Sequence, residues 1–133
     1  MRAETILVVE DNPLNLELVS DLLRSASYSV VEATSAEQAL ELALAVMPEL
    51  VLLDIRLPGM DGLEAVQRLK QDVTARIPVV ALTAQAMKGD EDAALAAGFS
   101  GYITKPINTR TFLDEVRRFL AATGDAESSG MPG

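Results

Sequence analysis

Glu10 and Asp11 follow the apolar run Ile6–Val9, Asp54 follows Leu50–Leu53, Thr83 follows Val79–Leu82, and Lys105 stands just past Gly101–Ile103. Taken singly, each has an ordinary reading. Acids after a strand are usually caps or turn residues, and so is a threonine in such a place. A lysine before a proline, here Pro106, is usually at the surface. Taken together they form a reactive set. Three carboxylates a few ångströms apart repel one another and titrate as a coupled group. A hard divalent cation relieves that conflict, and an all-oxygen site with few protein ligands suits Mg²⁺. The metal also lets an anionic carboxylate approach an anionic phosphoryl group. Asp54 could then act as a nucleophile and form an aspartyl-phosphate. Thr83 would hydrogen-bond one phosphoryl oxygen and Lys105 would neutralise another through a charge-assisted bond.

That chemistry requires the five residues to meet, and the elements between them say how. Five short apolar runs, Ile6–Val9, Val30–Ala33, Leu50–Leu53, Val79–Leu82 and Gly101–Ile103, alternate with helical patterns. The first four are nearly continuous in Val, Leu, Ile and Ala, as in strands buried on both faces of a parallel sheet. Leu16, Val19, Leu22, Leu23 and Ala26 share one helical face; Ala36, Ala39, Leu40 and Ala43 share another; Phe112, Val116, Phe119 and Leu120 mark a last helix. Asn12-Pro13 reads as an N-cap with proline at the first helical position. Ser35 with Gln38, and Asp61 with Glu64, have capping-box spacing. Gly98 suits the left-handed end of a fourth helix. The alternation predicts an α/β fold, a (βα)₅ doubly wound parallel sheet of five strands in the order 2-1-3-4-5. Sites in such sheets form beyond the carboxyl ends of the strands. Every candidate residue sits at one of those ends.

Composition removes competing chemistries. The chain has 133 residues, no cysteine and no histidine, so disulfides, thiolate metal sites and histidine catalysis are excluded. A formal charge of −9 disfavours direct nucleic-acid binding. Apolar runs fall far short of a membrane span, and no targeting segment is visible, so a cytoplasmic location is expected. One domain is expected over residues 1–122. Residues 123–133, TGDAESSGMPG, read as a flexible tail too polar to pack.

The motifs VVEDNPLN (8–15), LLDIRLPGMDG (52–62), ALTAQAMKGD (81–90) and YITKPI (102–107) resemble those of bacterial two-component response-regulator receiver domains, from Ile6 to about Leu120. The resemblance implies the flavodoxin-like receiver fold and a phosphoacceptor switch without turnover of its own beyond self-phosphorylation and slow autodephosphorylation. It implies that Asp11, Asp54 and the backbone carbonyl of Arg56 ligate Mg²⁺, for which Mn²⁺ would substitute, and that Glu10 acts mainly through water. Arg56 and Gln85 fall where the family tunes the lifetime of the phosphoryl group. Thr83 and Tyr102 fall where it couples phosphorylation to an aromatic swing. The donor would be a histidine kinase or phosphotransfer protein. The output face would be the fourth helix, fifth strand and fifth helix (Met87–Ala97, Gly101–Ile103, Thr109–Leu120), presented to a protein effector, with phosphorylation-dependent dimerisation a further expectation. Within the family the chain is most similar to single-domain regulators of the alphaproteobacterial cell-cycle type and to receivers of hybrid sensor kinases.

Three other readings compete. A receiver cut from a hybrid sensor histidine kinase would share every motif; Met1, five residues before the first apolar run, favours a stand-alone protein. An aspartyl-phosphate phosphohydrolase of the haloacid-dehalogenase type needs a second aspartate after the nucleophile, and Asp54-Ile55-Arg56 lacks it. A flavodoxin-type protein needs a Ser/Thr/Gly-rich phosphate loop where this chain has Glu10-Asp11-Asn12-Pro13.

Overall fold

The strands form where the apolar runs lie. In the computed structural model, which describes residues 4–55, 62–71, 73–83 and 95–129, β1 (Thr5–Val9), β2 (Ser29–Ala33), β3 (Leu50–Asp54), β4 (Val79–Thr83) and β5 (Gly101–Thr104) make one parallel sheet in the order β2-β1-β3-β4-β5. The order expected from the alternation is the order observed. α1 (Pro13–Ser25), α2 (Ala36–Val46), α3 (Gly62–Leu69), a 3₁₀ turn (Val73–Arg76), α4 (described over residues 95–97) and α5 (Phe112–Ser129) connect and cover the strands.

The two-residue period of a strand divides its side chains between two cores. Leu7, Val9, Val51, Leu53, Val79 and Ala81 face α2 and α3. Ile6, Val8, Leu50, Leu52, Val80 and Leu82 face α1 and α5, against Val19, Leu23, Phe112 and Val116. Each fully buried Leu or Val contributes about 1.5–3 kcal/mol of apolar transfer. The central strands β1, β3 and β4 therefore anchor the sheet, and whatever is attached to their ends is held firmly.

Caps fix the helix starts. Asn12 Oδ1 accepts from the N–H groups of Leu14 and Asn15 at 3.0 and 3.1 Å, with Pro13 behind it. Ser35 Oγ accepts from Gln38 N–H at 3.2 Å, but the Gln38 side chain returns to Thr34 N–H at 2.9 Å instead of to Ser35. The capping box is thus shifted by one residue. α1 ends without glycine: Ser27 takes φ 72°, and the N–H groups of Ser27 and Tyr28 reach back to the carbonyls of Arg24 and Leu23, a Schellman arrangement. Gly98 has φ 119° as α4 ends.

The backbone of the last helix is helical to Ser129. Phe112 and Val116 pack its first turns, and Ala121 and Ala122 are good helix formers, whereas Thr123, Gly124, Asp125, Ser128 and Ser129 are weak ones. Arg56, Asp61, Gln85, residues 87–94 of the expected output face and residues 130–133 of the expected tail lie outside the described residues. Among the described residues no helix is long and apolar enough to cross a membrane.

Candidate functional site

Sheet register brings the strand ends to one rim. Val9 is paired with Leu53, Asp54 with Leu82, and Thr83 with Thr104. The ladder continues past the strands: Glu10 N–H donates to Ala33 O at 3.0 Å, Ile55 N–H to Leu82 O at 3.2 Å, and Lys105 N–H to Thr83 O at 2.7 Å. Glu10, Asp11, Asp54, Thr83 and Lys105 accordingly stand at the carboxyl edge. The Lys105-Pro106 peptide bond is cis.

The acids meet as a group. One carboxylate oxygen from each of Glu10, Asp11 and Asp54 lies within 4.8 Å of the others. Glu10 and Asp54 are buried and Asp11 is exposed. Lys105 closes the cluster from the other side, its Nζ 2.6 Å from Glu10 Oε1 and 3.0 Å from Asp54 Oδ2. Glu10 Oε2 accepts from Asn12 N–H at 3.2 Å. Its Oε1 is fully buried, and the Lys105 ammonium is the charged group that faces it.

The electrostatics follow from that crowding. Burial raises the Glu10 carboxyl above its ordinary value, and the neighbouring Asp54 pushes the same way; the Lys105 contact and the Asn12 N–H only partly oppose them. Burial alone would lower the Lys105 ammonium, but its hydrogen bonds to Glu10 and Asp54 outweigh it and raise the group. At neutral pH Lys105 is a fixed cation. Three clustered carboxylates served by a single ammonium fit a hard, oxygen-seeking divalent ion.

Two further positions belong to the rim. Thr83 and Tyr102 are half-buried. Ala81 pairs with Tyr102, and Thr83 follows Ala81 by one strand period, so Thr83 and Tyr102 share the face that packs against α2 and α3. Gly62 is a residue the motifs contain but whose part was not foreseen. A Cβ there would stand 2.6 Å from Ile55 Cα and 2.8 Å from Asp54 O, and its N–H donates to Ile55 O at 2.9 Å. Only glycine lets α3 begin against the backbone of Asp54. The available signal was a glycine opening a helix, where better helix formers are the rule.

Comparison with known proteins agrees with this architecture. The family model described as the response regulator receiver domain matches residues 6–117. The polar-differentiation response regulator DivK of Brucella ovis is 42% identical over 124 residues, covering 92% of this chain and 98% of that protein. The receiver domain of sensor histidine kinase PA1611 from Pseudomonas aeruginosa PAO1, solved with a magnesium ion coordinated in its active-site cleft, superimposes with a TM-score of 0.83 at 33% identity, covering 90% of this chain and 99% of that one. The receiver domain of Ssk1 from Saccharomyces cerevisiae, solved with the histidine phosphotransfer protein Ypd1, gives a TM-score of 0.83 at 25% identity, with 90% of each chain covered.

Proposed function

The chain belongs to the response regulator receiver domain family, a family of two-component signalling switches, and from that premise we propose that Asp54 is its phosphoacceptor. The observation that carries the assignment is the setting of Asp54: a buried carboxylate at the end of a central strand, grouped with Glu10 and Asp11 and held 3.0 Å from the Lys105 ammonium. An oxygen of Asp54 attacks the phosphorus of a phosphohistidine or small acyl phosphate. The bond from phosphorus to the donor breaks, its electron pair leaves with the donor, and an aspartyl-phosphate remains.

Glu10, Asp11 and Asp54 are the side chains that would hold Mg²⁺, with Arg56 supplying a backbone carbonyl. The ion would screen the acids and the incoming phosphoryl oxygens from one another. Lys105 turns from neutralising Glu10 and Asp54 to neutralising the new phosphoryl charge. Thr83, one strand over from Asp54, offers its hydroxyl to a phosphoryl oxygen. Tyr102, on the same face as Thr83, is the group that moves when Thr83 does, and so carries the change to β5 and α5. Arg56 and Gln85 set the phosphoryl lifetime. Donors are a histidine kinase or phosphotransfer protein, and the receiver of the signal is a protein effector.

The test is intact-mass measurement after incubation with Mg²⁺ and acetyl phosphate. One phosphoryl group is expected, absent in Asp54→Ala and after chelation of the metal. A full phosphoryl gain in Asp54→Ala would overturn the assignment.

A further inference from the structure

α2 carries more apolar surface than the sheet can cover. Of its residues Ala36–Val46 only Glu37, Gln38 and Glu41 are polar, and it has no basic residue. Ala36, Ala39 and Ala43 supply the buried face. Past that face, Leu44, Ala45, Val46 and Met47 are all exposed, with Leu44 at 48% and Met47 at 42%. Four consecutive exposed apolar residues go against the patterning of a solvated helix and mark a surface with a use. Met47 strengthens the point. It caps the helix at φ 51°, the left-handed conformation that glycine adopts freely and other residues adopt at a cost. The chain keeps a large apolar side chain where the backbone would favour none.

The charge around this run selects its occupant. Glu37 and Glu41 are exposed along the same helix, one turn apart. A second copy docked there would set acid against acid, on chains that each carry a formal charge of −9. An apolar partner edged by lysine or arginine meets no such repulsion. We infer that the C-terminal end of α2 is a docking site for a partner protein that presents apolar side chains flanked by Lys or Arg, as on a basic amphipathic helix.

Its position gives the site a distinct role. The run precedes β3, whereas Asp54 ends β3, so the two lie at opposite edges of the sheet, separated along the strand by about 13 Å. Docking at α2 holds a partner irrespective of the state of Asp54. It is a tether, separate from the phosphorylation-sensitive rim.

The experiment is NMR titration of the ¹⁵N-labelled chain with an 18-residue amphipathic peptide of leucine and lysine, beside a counterpart with glutamate for lysine. The Leu/Lys peptide should shift the amides of residues 37–47 and bind at least fivefold more weakly to Leu44→Gln, an exposed position where the fold is spared. Its affinity should be the same within twofold with or without Mg²⁺ and acetyl phosphate. Shifts centred on the rim acids, equal binding of the Leu/Glu peptide, or undiminished binding to Leu44→Gln would overturn the inference. So would a concentration-dependent dimer in sedimentation that Leu44→Gln abolishes, which would make a second copy the occupant.

Discussion

Lys105 Nζ reaches Asp54 Oδ2 at 3.0 Å across 51 residues of chain. The same ammonium lies 2.6 Å from Glu10 Oε1. In the absence of metal, one lysine therefore supplies the positive charge that two buried carboxylates require. Several outcomes are expected from that arrangement and from the packing around it.

Replacing Lys105 with methionine leaves two buried acids uncompensated. In metal-free buffer the loss should be about 3 kcal/mol, the scale for breaking a buried pair from one side. Mg²⁺ should then raise the melting temperature of Lys105→Met by more than it raises that of the wild type, because the ion takes over the missing charge. Thermal melts of both proteins, with EDTA and with Mg²⁺, measure this. Equal gains would mean that the ion does not bind among these acids.

Glu10 gives a pH dependence whose sign is fixed. Its carboxyl is raised from an ordinary value near 4.5, chiefly by burial. The folded chain holds that proton more tightly than the unfolded chain, so between 4.5 and the raised value this group adds stability as pH falls. In Glu10→Gln the group is always uncharged. In EDTA, the stability difference between Glu10→Gln and wild type should shrink as pH falls from neutrality toward 4.5. Melts in steps of pH would show it, and a constant offset would refute it.

Tyr102 and Thr83 share one face of the sheet. If Tyr102 transmits the change, Tyr102→Ala should accept a phosphoryl group to nearly the wild-type extent. The phosphorylation-induced amide shifts over Gly101–Ile103 and Phe112–Leu120 should be much reduced. Shifts of wild-type size in the variant would remove Tyr102 from the route.

Ser20 sits in α1, fully buried, and its hydroxyl has no hydrogen-bond partner among the described residues. An unpaired buried hydroxyl costs about 1–3 kcal/mol, and alanine is the better helix former. Ser20→Ala should stabilise the chain by about 1 kcal/mol in urea denaturation, with the slope unchanged. A loss of stability would point to a partner for the hydroxyl.

The strands and their order were legible because β1, β3 and β4 are buried on both faces and so read as unbroken Val, Leu, Ile and Ala. The rim residues were legible because a parallel sheet places chemistry at strand ends, and Glu10, Asp11, Asp54, Thr83 and Lys105 each stood within two residues of the end of a run. What resisted reading depends on contacts remote in sequence. Nothing local pairs Lys105 with Glu10, and a glycine opening α3 is only a faint sign of a backbone 2.6 Å from where its Cβ would be. Ser27 and Met47 hold left-handed positions without being glycine, so no glycine marked the end of either helix, and only Pro48 signalled where α2 stops.

β5 is four residues long and, among the described residues, is hydrogen-bonded to a strand on one side only, to β4. Lys105 hangs from it, whereas Glu10 and Asp54 hang from strands in the middle of the sheet. Fraying of this border strand, a local opening of the kind sheet edges undergo, would withdraw the ammonium and leave the acids where they are. The pocket would turn from nearly balanced to strongly anionic while the remainder of the molecule stayed closed. The durability of the rim's charge balance is thus that of a short outer ladder, and a divalent ion would be most strongly drawn in at the moments when that ladder lets go.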